Sequence, residues 1–540
     1  MKKILAVAFL FGMALQAGAQ TWSDALNLSD NDYLGTARSV GMGNAMTAVG
    51  GDLGSLTFNP AGSAVASYSQ FTITPGLNFS TVTAQGSLVD EEGYSIGFED
   101  KYRTRFGRMG LPNFGVMMAY DTRNRSGLKR VSFGIVGNVT RNYTNWMRAS
   151  GTNASTTLAG SLASLAANYS PDALNGSFYA NDAPLWETMV GYQGGIFGQL
   201  DGKYVGLTEV LTPEGPQLNN TIGQYYGVKR AGGKYDLLMN FGLDFNDKFY
   251  LGANLAIVTI DYRYDETRSE EALSGIDYGN GFESLRTRFS MRDVGSGVYM
   301  KVGFIARPFD GFRIGAAVQT PTLYDIRETY QHEGQSIAGQ HELMRSTSPQ
   351  DEWLYRLKAP FRANVGVAYT IAKMALLSAD YEYTDYSGMK LVPAYDDNYY
   401  FDFTDQNLDI KDFTGPVHAI RLGAEIKPAP QLALRVGYNL TTGAQYNTLS
   451  DSGQVVSLSD QERKEQIRTA VSFGIGYSSP GSFFMDAAVR FQYLPNEYFT
   501  PYWYYDYENG NRYVDDRFTT PEVCSQSALC NALLTLGWRF

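Results

Sequence analysis

The chain is poor in the side chains that most often bind metals or act as nucleophiles. Among 540 residues there are three His and two Cys. That leaves little material for an imidazole- or thiolate-based metal centre, so no metal and no cofactor are expected. No Gly-x-Ser-x-Gly, paired-His motif or phosphate loop occurs, and the chain does not read as an enzyme. Charge is sparse, 18% of residues, with 44 Lys+Arg against 55 Asp+Glu for a net of −11. With no basic block, nucleic acid is excluded as the main partner. Beyond the first residues no stretch reaches the ~18 apolar residues that a spanning helix needs. In place of all this stand 57 Gly, 38 Tyr and 30 Phe, a composition that suits an all-β protein with many turns.

Lys2 and Lys3, the apolar run from Ile4 to Leu15 and the small residues Ala17-Gly18-Ala19 form a secretory signal peptide over residues 1–19. From Tyr68 onward, apolar and small or polar residues alternate with period two, the mark of strands with two different faces. Leu432, Leu434, Val436, Tyr438 and Leu440 share one face; Ala433, Arg435, Gly437 and Asn439 share the other. Fourteen strands are predicted, near 68–82, 108–122, 129–145, 232–245, 249–264, 286–307, 312–331, 352–371, 374–386, 415–428, 431–446, 465–478, 482–495 and 531–540. Their connections alternate between short (such as 246–248, 309–311 and 479–481) and long (83–107, 146–231, 265–285, 332–351, 387–414, 447–464 and 496–530). An even strand count with short turns at one end and long loops at the other describes a 14-stranded antiparallel transmembrane β-barrel, residues 67–540, with long external loops.

Segment 20–66 does not alternate. It is rich in small residues and too apolar for a free tail, and a fourteen-stranded lumen is wide enough to need filling, so it is predicted to be an N-terminal plug. The predicted lumen face is rich in glycine, among them Gly134, Gly242, Gly252, Gly315, Gly423, Gly437, Gly474, Gly476 and Gly537. Two readings stand: room for a plug or ligand, or relief of strain in a bent wall.

The signal peptide, the Gly/Ala-rich segment ending in Asn59-Pro60-Ala61-Gly62, the fourteen strands and the C-terminal Phe540 with Trp538 together resemble the FadL/TodX-type outer-membrane hydrocarbon transporters. The resemblance covers essentially the whole mature chain. It implies a monomer in the outer membrane of a Gram-negative-type cell, among outer-membrane lipids and lipopolysaccharide, with Phe540 read by the barrel-assembly machinery. It implies passive uptake of long-chain fatty acids or other hydrophobic small molecules. Asn59, Pro60, Ala61 and Gly62 would then belong to a gating hatch, with lateral release into the membrane through an inward kink of the third strand. Alternatives are haem uptake, a surface adhesion barrel that transports nothing, or an open porin.

Residues can be assigned to these tasks. In loop 146–231, Leu158, Leu162 and Leu165 are spaced for one apolar helix face, and Leu185, Trp186 and Met189 follow. They are candidates for a ligand-capture groove, or for a cap packed over the barrel. Inward-facing Arg313, Arg421, Arg435 and Arg490 are candidates for a ligand carboxylate, since Arg pairs carboxylates in fork geometry; ion pairs with Asp244, Glu425 and Asp486 compete with that role. Cys524 and Cys530, exported together, are predicted to form a disulfide. Asp396, Asp397, Asp402, Asp405, Asp409 and Asp412 make loop 387–414 acidic, a solvated loop or one bridged by a divalent ion. Tyr502-Trp503-Tyr504-Tyr505 reads as interfacial girdle.

Overall fold

The computed structural model describes residues 21–88, 96–372, 374–394, 402–449, 454–508, 511–515 and 517–540. The expected signal peptide over residues 1–19 lies outside the described residues, as do Asp396 and Asp397.

Fourteen staves form one closed antiparallel sheet. They are β1 (Gln70–Gly86), β2 (Tyr102–Asp121), β3 (Leu128–Asn142, resumed as Asn145–Asn153), β4 (Ile222–Phe245), β5 (Phe249–Glu271), β6 (Ser284–Phe309) and β7 (Phe312–Gln319, resumed as Leu323–Ala338). Then come β8 (Asp351–Lys358, resumed as Arg362–Ile371), β9 (Ala375–Asp385, resumed as Lys390–Pro393), β10 (Pro416–Ala429), β11 (Leu432–Thr441), β12 (Arg468–Ser478), β13 (Phe483–Tyr493) and β14 (Val523–Arg539). Each stave pairs with the next. β14 pairs with β1 from Gln70↔Arg539 to Gly86↔Val523, which closes the ring. Closure removes the sheet edges and so satisfies the backbone without water.

The predicted alternation of connections is present. One end carries tight turns, as at Asn246-Asp247, where φ of 60° and 55° makes the two-residue turn whose twist matches the strands it joins. Along the staves, residues alternate between a buried inner face and an exposed apolar outer face. On β5 and β6 the outer row is Leu251, Leu255, Ile257, Val298, Met300 and Val302, each more than a third exposed. A continuous exposed apolar band of this kind is a lipid-facing belt, not a soluble surface.

Two expectations about extent are corrected. β4 begins at Ile222 rather than near 232, and β5 runs to Glu271 rather than 264. The outer face turns polar there (Asp261, Arg263, Asp265), so the sequence shows the membrane half of each stave more clearly than the half that stands above it. β7 and β8 are also interrupted. Pro321 and Pro360 fall opposite each other in the gap between Gln319↔Arg362 and Leu323↔Lys358, and neither has an N–H to donate.

The predicted Cys524–Cys530 disulfide is contradicted. Both are free thiols on one stave, β14. Six residues along an extended strand separate them by roughly 20 Å, three times the Cα separation a disulfide tolerates. Cys530 lies across from Phe79 and Phe491 on the belt. Unreduced, unfolded protein should therefore take up two maleimides, and reductant should not change its electrophoretic mobility. A single oxidised species that gains two thiols on reduction would refute this register.

Candidate functional site

Residues 21–66 lie inside the barrel. Helix α1 (Trp22–Ser29) opens with a capping box formed by Thr21 and Asp24. Helix α2 (Ala37–Gly41) is capped by Thr36, and a single turn, α3 (Gly62–Val65), ends the segment. From Tyr33 to Ala64 almost every residue is buried.

Glycines on the wall allow this segment its close approach. A Cβ at Gly437 would lie 2.0 Å from the Gly43 nitrogen, and one at Gly252 would lie 2.3 Å from the Ala61 nitrogen. Gly242, Gly315 and Gly423 abut the plug in the same way. The first of the two readings thus holds for these positions. Gly476 and Gly537 differ, since they make room for wall side chains, the Arg435–Asp486 pair and the Phe484 ring.

Polar wall side chains reach for plug carbonyls. Lys234 Nζ donates to Leu28 O (2.9 Å) and Asp30 O (2.7 Å), Lys301 Nζ to Thr57 O (2.7 Å), Asn254 to Leu56 O (2.8 Å) and Arg362 to Ser29 O (2.8 Å). Asp30 is the electrostatic anchor. It accepts from Arg468 at 2.6 Å, from Arg141 and from the Tyr386 hydroxyl at 3.0 Å. Burial alone would raise its carboxyl, but Arg468 and Arg141 outweigh that and hold it well below the usual carboxylate range.

The motif Asn59-Pro60-Ala61-Gly62 sits at the inner wall. Asn59 Nδ2 donates to Thr47 O (2.8 Å) and to Phe304 O on β6 (2.9 Å), while its Oδ1 accepts from Ala61 N (3.1 Å). Pro60 O accepts from Asn240 (3.0 Å). One side chain thus ties two plug turns to the barrel.

The four arginine candidates already have partners. Arg313 donates to Val49 O, and Arg421 to Glu382 at 3.0 Å while lying over the rings of Tyr33 and Phe58. Arg435 joins Glu425 (2.7 Å) to Asp486 (2.6 Å), and Arg490 pairs with Asp32 of the plug. They hold the plug and the wall, which corrects the carboxylate-binding expectation; the competing ion pairs with Glu425 and Asp486 are present. Asp244 pairs instead with Arg130.

Beside the plug the ladder between β2 and β3 is incomplete. The β2–β3 ladder runs from Asp121↔Arg130 only as far as Asn113↔Asn138. Above that point Tyr102–Gly110 keeps its ladder to β1 but has none to β3. β3 turns away because its backbone pairs with the plug: Leu34 N donates to Val139 O (2.9 Å) and Asp32 N to Thr140 O (2.7 Å). Contact between loop 87–101 and β3 resumes higher up, at the Asp100↔Ser150 bridge and where Thr152 N donates to the Glu99 carboxylate (2.7 Å). Between these limits the two staves share no backbone ladder, a break in the hydrogen bonding of the wall. Its β2 rim includes Met109, 70% exposed, and its inner side is apolar and aromatic, with Tyr143, Tyr262 and Met147 buried beside it. The sequence clue was Pro112, an N–H missing from the stave at the margin of the gap.

The external loops form a cap. Leu158, Leu162 and Leu165 on helix α4 (Leu158–Leu165) are buried against Ile196, Phe197, Tyr278, Tyr502 and Tyr504, with Leu185 packed on this cluster. Met189 and Trp186, on helix α5 (Trp186–Gln193), are buried against the lumen core. The expected capture groove is corrected accordingly: the leucines are buried against the aromatic residues of other loops, as the cap alternative had it. Tyr502 and Tyr504 belong to the cap rather than to a girdle. Tyr504 donates to Glu209 at 3.3 Å, a carboxyl that burial pushes up. Asp405, Asp409 and Asp412 lie on an external helix (Thr404–Phe413), and among the described residues no cluster could hold a metal ion.

No protein-family model and no curated protein match the sequence. Solved structures do. A FadL homologue from Pseudomonas aeruginosa aligns over 94% of this chain and 98% of its own, at 13% identity and a TM-score of 0.52. The chain has the FadL-type fold. The Pseudomonas putida toluene transporter TodX aligns over 94% and 99% at 12% identity and a TM-score of 0.46, and the monoaromatic hydrocarbon channel CymD over 93% and 96% at 10% and 0.42.

In this FadL-type barrel the plug should be the seal. Gly437→Val sets a branched side chain against Gly43, and Asp30→Ala strands two largely buried guanidiniums at about 3–5 kcal/mol. Each variant should raise single-channel conductance in planar bilayers while the barrel stays heat-modifiable on gels. Conductance unchanged in both would show that the plug does not block the lumen.

Proposed function

We propose that the chain is an outer-membrane channel for passive transport of hydrophobic small molecules, long-chain fatty acids or other hydrocarbons among them. In this reading the plug gates the lumen, and the opening between β2 and β3 releases ligand sideways into the bilayer. The observation that carries the proposal is the break in the β2–β3 ladder, apolar inside, beside the lipid belt and next to the Leu34–Val139 contact; we read it as the site of the opening. Toluene and monoaromatic hydrocarbons are what two neighbours of similar architecture carry by name.

The physical argument is one of partition. An apolar solute in the lumen gains about 25 cal/mol per Å² on leaving water for hydrocarbon. A side exit delivers it to the membrane without another aqueous step, so no energy source is needed. Asn59, Pro60, Ala61 and Gly62 would act as hatch residues, because they join the plug to β4, β5 and β6 on the wall near the exit. With the four arginines already bonded to carboxylates or, at Arg313, to Val49 O, apolarity is the property selected, one that a fatty acyl chain shares with other hydrocarbons.

The exit can be blocked without touching the plug. A Cβ at Gly110 meets only the Asn78 amide, at 3.8 Å, so Gly110→Trp can be accommodated and would fill the rim. Cells relying on this protein should lose uptake of a labelled monoaromatic hydrocarbon to near background, with normal amounts of folded barrel. Uptake equal to that of the unmodified protein would refute lateral release.

A further inference from the structure

We propose that the outer face of β8 and β9 holds the phosphorylated headgroup of a membrane lipid between Lys358 and Lys390. Cross-strand register brings these residues together. One outward-facing row reads Ile257, Val298, Leu323, Lys358, Lys390 across β5 to β9. It starts in the apolar belt and ends on two exposed lysines. Because staves tilt in a barrel, such a row rises across the belt's margin, and the lysines stand where lipid headgroups begin.

Lys358 and Lys390 are directly opposite each other. Like charges at directly opposed positions, with Cβ atoms about 5 Å apart, destabilise a sheet. The neighbouring cations are treated differently. Arg356 pairs with Asp325 at 3.0 Å, Arg327 with Glu352 at 3.5 Å, and Arg263 and Arg292 share Asp261. Among the described residues no carboxylate lies within ion-pairing distance of either lysine. The chain carries net −11, so acidic residues are plentiful, yet this pair is left for an anion from outside. A phosphate bridging two ammonium groups relieves the repulsion, and the apolar row below, Leu323 and Val298, meets the acyl chains. That continuity with the belt selects a lipid over free phosphate.

The inference rests on the membrane reading, and the two can fail separately. The test is native mass spectrometry of the full barrel released from detergent, titrated with diphosphoryl lipid A and with phosphatidylethanolamine. Insertion into phosphatidylcholine vesicles is measured in parallel and reports on the membrane reading alone. The unmodified protein should prefer lipid A. Lys358→Gln with Lys390→Gln should weaken that preference about thirtyfold, the value for two lysine contacts at a membrane surface. Lys358→Arg with Lys390→Arg should keep it, as should Lys427→Gln at the short-turn end. No preference in the unmodified protein, retention by the double Gln variant, equal loss in Lys427→Gln, or full displacement of lipid A by inorganic phosphate would each overturn the proposal.

Discussion

Backbone pairing is the constraint on which the structure depends. A barrel in lipid must satisfy each N–H and C=O within the protein, because hydrocarbon offers no partner. The β1–β14 ladder meets that demand by closing the ring. The gap between β2 and β3 would violate it if β3 simply left its neighbour. On the β3 side that demand is met by the plug, since Val139 O and Thr140 O receive Leu34 N and Asp32 N, and at the margin of the gap Pro112 has no N–H to satisfy. The opening and the plug are therefore two sides of one exchange of hydrogen bonds, and a plug that moved would leave β3 carbonyls in need of new partners.

The same coupling explains why the plug is held by charges. Asp30 with Arg141 and Arg468, and Asp32 with Arg490, are largely buried ion pairs between plug and wall. Buried pairs are weak sources of net stability, since desolvation offsets attraction, but they are specific: a misplaced plug leaves uncompensated charge. The glycines act in the same direction by shape. Gly43 fits against Gly437 and Ala61 against Gly252 at separations that any side chain would forbid. Charge and shape together define one seat for the segment rather than a loosely packed interior.

Much of this could be read from the residues, and the failures share a cause. Period-two alternation is local, so the belt staves, their number and the short turns were legible, as was a small-residue segment destined for the lumen. Partners across the barrel were not. The alternation at Arg421, Arg435 and Arg490 shows that they face inward, but nothing local shows that Glu382, Glu425, Asp486 and Asp32 wait opposite. The leucines of 158–165 have the spacing of one helix face, and spacing is blind to whether that face meets a ligand or Tyr502 and Tyr504 from a loop over three hundred residues away. Cys524 and Cys530 looked like a loop pair because β14 begins eight residues earlier than its apolar core suggests, the first part of the stave having Gln526 and Ala528 on its outer face and serines on its inner one.

The pairing of the arginines also bears on what such a channel would recognise. A carboxylate ligand needs an unpaired guanidinium or ammonium along its route, since an anion moved into a poorly hydrated lumen without a partner loses several kcal/mol of solvation. Arg230 and Arg268, higher in the lumen, are bound to Glu497 and to Glu187, so the pattern extends above the plug. Meanwhile Tyr143, Tyr226, Tyr262 and Tyr264 are buried together in the core at that level. Ring faces stack on aromatic and aliphatic surface alike. On the proposed reading, a fatty acid anion would have to displace a wall carboxylate or, at Arg313, Lys234 and Lys301, a plug carbonyl, whereas a neutral hydrocarbon disturbs none of these contacts.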